Sequence, residues 1–282
     1  MTEKTTKTKY VNIDARFSNE FQRFPLADYY IELQETIHNV KSLSVACIEI
    51  PISFFNICDV LKNNCFKILN IDNQKSTSIT IPDENYNINT LIENINNQLR
   101  VNKISDLNFN FSKNNSTTIS SNKNRYIIDF TINIGENESN NKLGSILGFG
   151  KPKYYIEPEK DCETEKYCNY LNPRYLYLEI RERERKNENN INYAFSSSMM
   201  CSQISKYIIG RITMDYHTFP YGSVIPANLF NGFLISDTRR YKEKIRLEDL
   251  EVRLLNEFGF PICLNGFELS FCMVVEHECD DN

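Results

Sequence analysis

A period of two runs through Tyr29-Tyr30-Ile31-Glu32-Leu33-Gln34 and Ser42-Leu43-Ser44-Val45-Ala46-Cys47. In each run the larger apolar side chains occupy every second position. This period is that of a β-strand with one apolar face. Pro51 ends the second run, because proline cannot donate a ladder hydrogen bond. The same alternation recurs over residues 126–134, 175–180 and 267–275. It predicts that Phe130, Ile132, Leu178, Leu269 and Phe271 face inward, with Phe267 on the same side of its strand as Leu269 and Phe271. These runs predict antiparallel strands that pack one face on a core.

Helical periodicity is confined to two short segments. Ile88, Leu91, Ile92, Ile95 and Leu99 form one apolar stripe, which Asn87 or Asn89 can cap. A second helix is predicted over 141–147, ended by a glycine. Eight to ten strands with one or two short helices predict an all-β fold, an antiparallel single jelly-roll β-sandwich.

The predicted domain organisation has two parts. Residues 1–27 are polar and lack sustained alternation, which predicts an extended N-terminal arm. Residues 28–282 are predicted to form a single jelly-roll domain with loop insertions at about 152–172 and 186–200. We find no internal repeat of the kind that tandem domains would produce.

Composition excludes several classes of protein. The net charge of -5 argues against a general nucleic-acid binder, whose affinity rests on a concentrated basic face. No apolar stretch reaches the roughly 18 residues that span a bilayer, and the N-terminus lacks the apolar region of a secretory signal. Nine scattered cysteines, an odd number, are typical of a reduced compartment with largely buried thiols.

No pattern of catalytic or ligand-binding residues emerges. Three dispersed histidines cannot build a cupin-type metal site, and Cys272, His277 and Cys279 lack a fourth ligand at zinc-finger spacing. The serines at 196–198 have no nucleophile elbow, and the glycine-rich stretch 144–150 lacks the Lys-Ser/Thr of a phosphate loop. The sequence therefore predicts no catalysis, no cofactor and no metal site.

Several short stretches, each occurring once and in a fixed order along the chain, resemble the signatures of one protein family. Two positions depart from those signatures: Ala15 stands where serine is usual, and Glu84 where glycine is frequent. The stretches are Asn12-Ile-Asp-Ala-Arg-Phe17, Asn39-Val-Lys-Ser-Leu43, Glu49-Ile-Pro51, Ile79-Thr-Ile-Pro-Asp-Glu-Asn-Tyr86, Leu147-Gly-Phe149, and Gly259-Phe-Pro-Ile262 with Asn265-Gly266. The family is that of the minor capsid and penton-type jelly-roll proteins of large icosahedral nucleocytoplasmic DNA viruses.

The resemblance implies a structural virion protein without an active site. Its implied partners are other capsid proteins, namely the major capsid lattice and copies of itself, with a homopentamer as one arrangement. It implies synthesis in the host cytoplasm, a place in the virion capsid and no specific nucleic-acid sequence as partner. The motif positions it marks as structural are Ile13, Asn39, Val40, Glu49, Pro51, Leu147, Gly148 and Phe149.

The arm is the predicted assembly element. Asp14 and Arg16 are expected to pair with a neighbouring subunit, and Phe17 and Phe21 to supply apolar anchors. The competing interpretation is that the arm folds back on its own sandwich. The alternative function is a receptor- or glycan-binding jelly-roll module on the virion surface. In that function a tyrosine-rich region would replace the absent tryptophans, namely Tyr154, Tyr155, Tyr167, Tyr170, Tyr175 and Tyr177. An enzyme ranks third, because no acid, base and nucleophile converge.

Overall fold

The structure is a computed structural model that describes residues 4–17, 26–112, 114–131, 142–170, 173–182, 191–192 and 205–280. It contains two compact units, where the sequence predicted one domain after an arm. The first unit is Met1–Phe54 with Pro173–Asn282, and the second unit is Phe55–Asn172. They are separate because the second unit has an apolar core of its own.

The described residues form sixteen strands, more than the eight to ten predicted, and two α-helices. In chain order these are β1 (Lys4–Asp14), β2 (Asp28–Pro51), β3 (Cys65–Asn70), β4 (Lys75–Thr80), α1 (Ile88–Val101), β5 (Leu107–Phe111), β6 (Thr117–Ser121), β7 (Tyr126–Asp129), α2 (Leu143–Ile146), β8 (Lys153–Ile156), β9 (Cys162–Glu163), β10 (Tyr175–Glu182), β11 (Ile191–Asn192), β12 (Ile208–Thr213), β13 (Val224–Asn228), β14 (Leu234–Ser236), β15 (Arg239–Leu255) and β16 (Ser270–Asp280).

The first unit is built on one antiparallel sheet in the order β1-β16-β2-β15-β10-β12-β14, with β13 paired to β2 and β11 to β15. Register shifts interrupt the β2–β15 and β2–β16 ladders, and such bulges bend a sheet. The sheet curls until β14 returns to β2, where the Val45 amide donates to Ser236 Oγ at 3.3 Å. The predicted all-β, antiparallel jelly-roll class is confirmed.

Two predicted strands are one continuous strand. Residues 29–34 and 41–50 both belong to β2, which runs for 24 residues without a linker. Asn39 lies inside it with a φ of 56°, a left-handed conformation that asparagine tolerates better than most residues. Because that distortion occurs within the ladder, the break in alternation near residue 39 marks an irregular point in a strand.

Alternation along the strands places the core of the first unit where the sequence predicted it. Leu178, Leu269 and Phe271 are buried, as is Phe130 in the second unit, while Ile132 lies outside the described residues. Phe267 was predicted to face inward and is instead 59% exposed. The reason is that β16 begins only at Ser270, so Phe267 belongs to the preceding turn, where no pleat orients its side chain.

The second unit packs helix α1 against two small sheets, β4-β3-β7-β8 and β5-β6-β9. The five predicted stripe residues of α1 are all buried, and Asn87 caps the helix by accepting from the Thr90 amide at 3.0 Å. Residues 152–172, predicted as an exposed insertion, instead supply β8, β9 and the buried side chains of Tyr154 and Ile156. Of the other predicted insertion, 186–200, only β11 is described.

Phe271→Ala tests the strand register of the first unit. The buried ring lies in the main core, so its removal should lower the free energy of unfolding by about 3–5 kcal/mol. Urea denaturation followed by circular dichroism measures this change. The matched control, Phe267→Ala, should cost less than about 0.5 kcal/mol, because that ring is largely solvated. Equal costs at the two positions would contradict the observed register.

Candidate assembly surfaces

Strand β1 forms one edge of the large sheet and comprises residues predicted to be an extended arm. It pairs with β16 along its whole length, from Lys4 opposite Asp280 to Asp14 opposite Ser270. Within the described residues no strand pairs with its other side, so its outer backbone groups are open to a further partner. Residues 4–14 of the predicted arm therefore pair with their own sheet. The competing interpretation also places Phe21 and Phe24 in the core, and both lie outside the described residues.

Little apolar surface holds β1 in place. Ile13 is its one buried side chain among those described, Val11 packs partly against the core, and Tyr10 is 67% exposed. An exposed ion pair at 2.5 Å joins Lys9 to Glu35 on β2, and exposed pairs stabilise by only ~0.2–1 kcal/mol. The strand is thus held mainly by its backbone ladder. Although its sequence is polar, β1 is a strand because its backbone hydrogen-bonds to β16.

Asp14 and Arg16 bind each other within the chain. Arg16 Nε donates to both carboxylate oxygens of Asp14, at 2.9 and 3.0 Å, and the Arg16 amide donates to Oδ1 at 3.0 Å. The side-chain hydrogen bond from Arg16 lowers the pKa of Asp14. This contact within the chain holds Arg16 beside Asp14, and the pairing of these two residues with a neighbouring subunit stays a prediction.

Phe17 follows this ion pair and is 83% exposed. The Ala15 amide donates to the Leu269 carbonyl at 3.1 Å, which carries the β1–β16 register one residue further. Exposed Phe17 and Phe267 thus both lie just beyond the ends of these two paired strands. An exposed aromatic side chain is what an apolar anchor requires. The second predicted anchor, Phe21, lies outside the described residues.

The motif residues of the first unit divide between interior and surface. Ile13, Val40 and Pro51 are buried, whereas Asn39 and Glu49 are exposed. Glu49 accepts a hydrogen bond from Ser270 Oγ at 2.6 Å, across the β2–β16 ladder. Ile13, Val40 and Pro51 thus contribute to packing, and Glu49 supports the register between β2 and β16. Asn39 adopts a left-handed backbone conformation.

The motif Leu147-Gly148-Phe149 lies in the second unit, directly after α2. Leu147 and Phe149 are buried, and the ring of Phe149 stacks on Phe130 with centroids 5.3 Å apart. Gly148 has a φ of 96°, and a Cβ there would lie 2.2 Å from the Lys166 carbonyl oxygen. Only glycine fits this close approach, which explains why the motif has this composition.

Glu165 fixes the segment that follows this motif. It accepts hydrogen bonds from the Tyr154 hydroxyl at 2.5 Å and the Gly150 amide at 3.0 Å, and Lys151 Nζ lies 3.4 Å away. Burial by itself would raise the pKa of Glu165, but these donors outweigh it and lower the pKa to about 2. The carboxylate therefore stays charged wherever the second unit is folded near neutral pH.

Sequence reasoning missed an exposed apolar tip between β13 and β14. Phe230 is fully exposed at 100%, and Leu229 beside it is half exposed. Asn228 Oδ1 accepts from the amides of Phe230 and Asn231, at 2.9 and 3.0 Å, so the turn is held by its own hydrogen bonds. The Asn-x-x-Asn-Gly spacing of residues 228–232 is the turn signal that could have located it.

The tyrosines named for the alternative function divide between interior and surface. Tyr154 and Tyr177 are buried, while Tyr155 and Tyr167 are exposed in the second unit.

Among the described residues, no three His, Cys, Asp or Glu side chains approach closely enough to hold a metal ion. In the same part of the chain, no helix has the length and apolar character needed to cross a bilayer.

No protein-family model and no curated protein matches this chain. Two solved structures are similar to it over nearly its whole length. One is the mavirus penton protein, with a TM-score of 0.46 and 11% identity, covering 97% of this chain and 100% of that one. The other is the cryo-EM structure of the Sputnik virophage, with a TM-score of 0.37, 16% identity and coverage of 96% and 97%.

Gly148→Ala tests the close approach in the second unit. The new Cβ would meet the Lys166 carbonyl and the backbone would keep an unfavourable φ, so we expect a loss of about 2–4 kcal/mol in unfolding free energy. The control is Gly150→Ala in the same segment, whose nearest neighbour would lie at an ordinary 3.6 Å. Thermal and urea unfolding would contradict the steric argument if the two variants were equally stable.

Acid titration tests the Glu165 network. Because the folded-state pKa lies below the ordinary value of 4.5, the charged network stabilises the second unit above that pH. This stability should be lost progressively as pH falls from about 5 towards 2. Glu165→Gln should show less loss over that window, measured by hydrogen exchange of residues 148–156. Glu157→Gln removes an exposed carboxylate whose pKa the hydrogen bond from Lys160 also lowers, so it should change the profile less than Glu165→Gln does.

Proposed function

We propose that this protein is a structural virion protein, a minor capsid or penton component that assembles into an icosahedral shell. The observation that carries the proposal is the ordered set of family-like motifs, whose residues hold the fold together. Ile13, Val40 and Pro51 are buried in the first unit, and Leu147 and Phe149 in the second. Motif residues that serve packing suit a protein whose role is structural.

Strand β1 is the proposed assembly element. Its outer edge is open within the described residues, and its apolar contribution to the core is essentially Ile13. A neighbouring chain can extend the sheet at this edge by adding a strand, the mode of recognition known as β-augmentation. Exposed Phe17, at the end of the strand, can add an apolar contact to that junction.

Its partners are, on this proposal, the major capsid lattice and further copies of the same chain. Copies related by rotation would meet through unlike surfaces, one subunit's β1 edge against a different surface of the next, and such heterologous contacts close into rings such as a pentamer. The protein would be made in the host cytoplasm, where its thiols remain reduced, and would reside in the capsid.

A truncated chain lacking residues 1–14 tests this function. The main core keeps Phe271, Met273 and Val275 without β1, so the variant should still unfold cooperatively, with a modest loss of stability. It should be absent from particles assembled with the other capsid proteins, and native mass spectrometry should find it monomeric where the full chain associates.

The control for the truncation is Tyr155→Ser, which changes an exposed aromatic residue that the proposal does not use. This variant should enter particles as the full chain does. A full-length protein that is monomeric in solution and absent from purified particles would overturn the capsid function. A truncated protein that assembles normally would overturn the role of β1 alone.

A further inference from the structure

Two thiols face each other across β2 and β16. Cys47 is the direct register partner of Cys272. Residues directly opposed in an antiparallel pair point to the same face of the sheet, with Cβ atoms about 4.5–5.5 Å apart. Both cysteines are partly exposed, and neither is in a disulfide. They form a pair that the fold creates from positions far apart in the sequence.

The backbone spacing at this pair suits a covalent bond. Directly opposed residues have Cα atoms about 5.5 Å apart at a hydrogen-bonded position and about 4.5 Å apart at a non-hydrogen-bonded position. Disulfides join residues whose Cα atoms are about 4.4–6.8 Å apart. Both kinds of position fall within this range. The Cβ atoms of directly opposed residues are about 4.5–5.5 Å apart, and a disulfide needs about 3.5–4.5 Å, so closing the bond draws the two strands together locally, next to the register shift after Cys272.

The pair lies on the face of the sheet opposite to the core. The neighbours Ile48 and Phe271 are buried in the main core, and adjacent residues of a strand point to opposite faces. The register places Asn12 of β1 beside Cys272 and Asn228 of β13 beside Cys47. The thiols thus sit in a row of short, uncharged side chains that leaves them accessible to a small reagent.

The two thiols also affect each other electrostatically. Burial raises the pKa of Cys272, and the nearby Cys47 raises it further. Because the thiolate is the reactive form, the raised pKa makes Cys272 slow to react at neutral pH and faster to react in mildly alkaline solution.

We propose that Cys47 and Cys272 form a dithiol site that reacts with low-molecular-weight disulfides and closes to a cross-strand disulfide. The thiolate of one cysteine attacks the reagent, forming a mixed disulfide and releasing one thiolate. The second cysteine, once deprotonated, attacks the protein sulfur of that mixed disulfide and releases the second thiolate. Two protein thiols lose two electrons and two protons, and the reagent is reduced to two thiols.

The bond would attach β16 covalently to β2. A crosslink between positions so far apart in the chain restricts the unfolded state strongly, so the oxidised protein should resist unfolding. Strand β1 pairs with β16 and has no ladder with β2, so the crosslink leaves its outer edge unchanged. The inference rests on the β2–β16 register alone and is independent of the capsid proposal.

Oxidised glutathione is the probe for this site. The full chain is reduced, freed of reductant and incubated anaerobically with oxidised glutathione in mildly alkaline buffer. The monomer is then isolated by size exclusion. Intact mass spectrometry should find the loss of two hydrogen atoms, and peptide mapping should find Cys47 joined to Cys272. The urea midpoint should rise on oxidation and return to its starting value after reduction.

Four variants separate this pair from the other thiols. Cys47→Ser and Cys272→Ser should each abolish the crosslink and leave a single glutathione adduct on the remaining partner. Cys263→Ser and Cys279→Ser, which remove other partly exposed thiols, should form the crosslink as the parent does. The proposal is overturned by separate glutathione adducts on Cys47 and Cys272 without a link, or by no reaction at either residue. Because peptide mapping of the parent decides between these outcomes, the test does not depend on the variants folding.

Discussion

The ladders that β2 makes with β15, β16 and β13 are the constraint on which the first unit depends. Three strands take their register from this one strand of 24 residues, each along a different part of it. A slip of one residue would turn Leu43 and Val45 away from the core and bring Ser44 into it. The error would pass to every partner strand. The alternation of β2 is therefore the sequence pattern that constrains the fold of the first unit most strongly.

Distance from β2 sets how firmly each strand is held. Its neighbour β16 contributes Phe271, Met273 and Val275 to the core, whereas β1, one strand further out, buries Ile13. Ordering one residue of backbone costs about 1–2 kcal/mol, and a ladder hydrogen bond contributes about 0.5–1.5 kcal/mol net. With so little apolar burial these terms nearly cancel along β1. Loss of its pairing would therefore cost the first unit less stability for β1 than for β16.

Local patterns predicted what local physics decides. The stripe of α1, its cap at Asn87 and the inward faces of Leu178 and Phe271 follow from periodicity and capping chemistry alone. The pairing of β1 could not be predicted in this way, because its polar residues carry no apolar signal and it is ordered by the edge of β16, more than 250 residues later. Asp14 and Arg16 pair with each other within this chain, a contact that the sequence analysis did not anticipate, and their pairing with another subunit stays a prediction.

The division into two units was hidden for a related reason. Residues 152–172 contain prolines and mixed charges, which are typical of exposed loops, yet Tyr154 and Ile156 are buried there. The strands concerned, β8 and β9, are short, and a run of two to four residues has no measurable periodicity. Their burial depends on the second unit's own core, which the sequence does not reveal until the β3–β4 and β7–β8 pairings bring its parts together.

Strand β16 pairs with β1, the proposed assembly element, and contains Cys272 of the proposed dithiol site. If β1 exchanges its partner, β16 becomes the edge of the sheet, and an exposed apolar edge promotes aggregation. The second half of β16 is protected by Glu276, His277 and Glu278, of which Glu278 pairs with Lys41 at 3.0 Å. The first half, with Met273, Val274 and Val275, has no such charges. Cys272 lies next to this apolar half, so a crosslink to Cys47 would fix to β2 the part of the strand that charge does not protect.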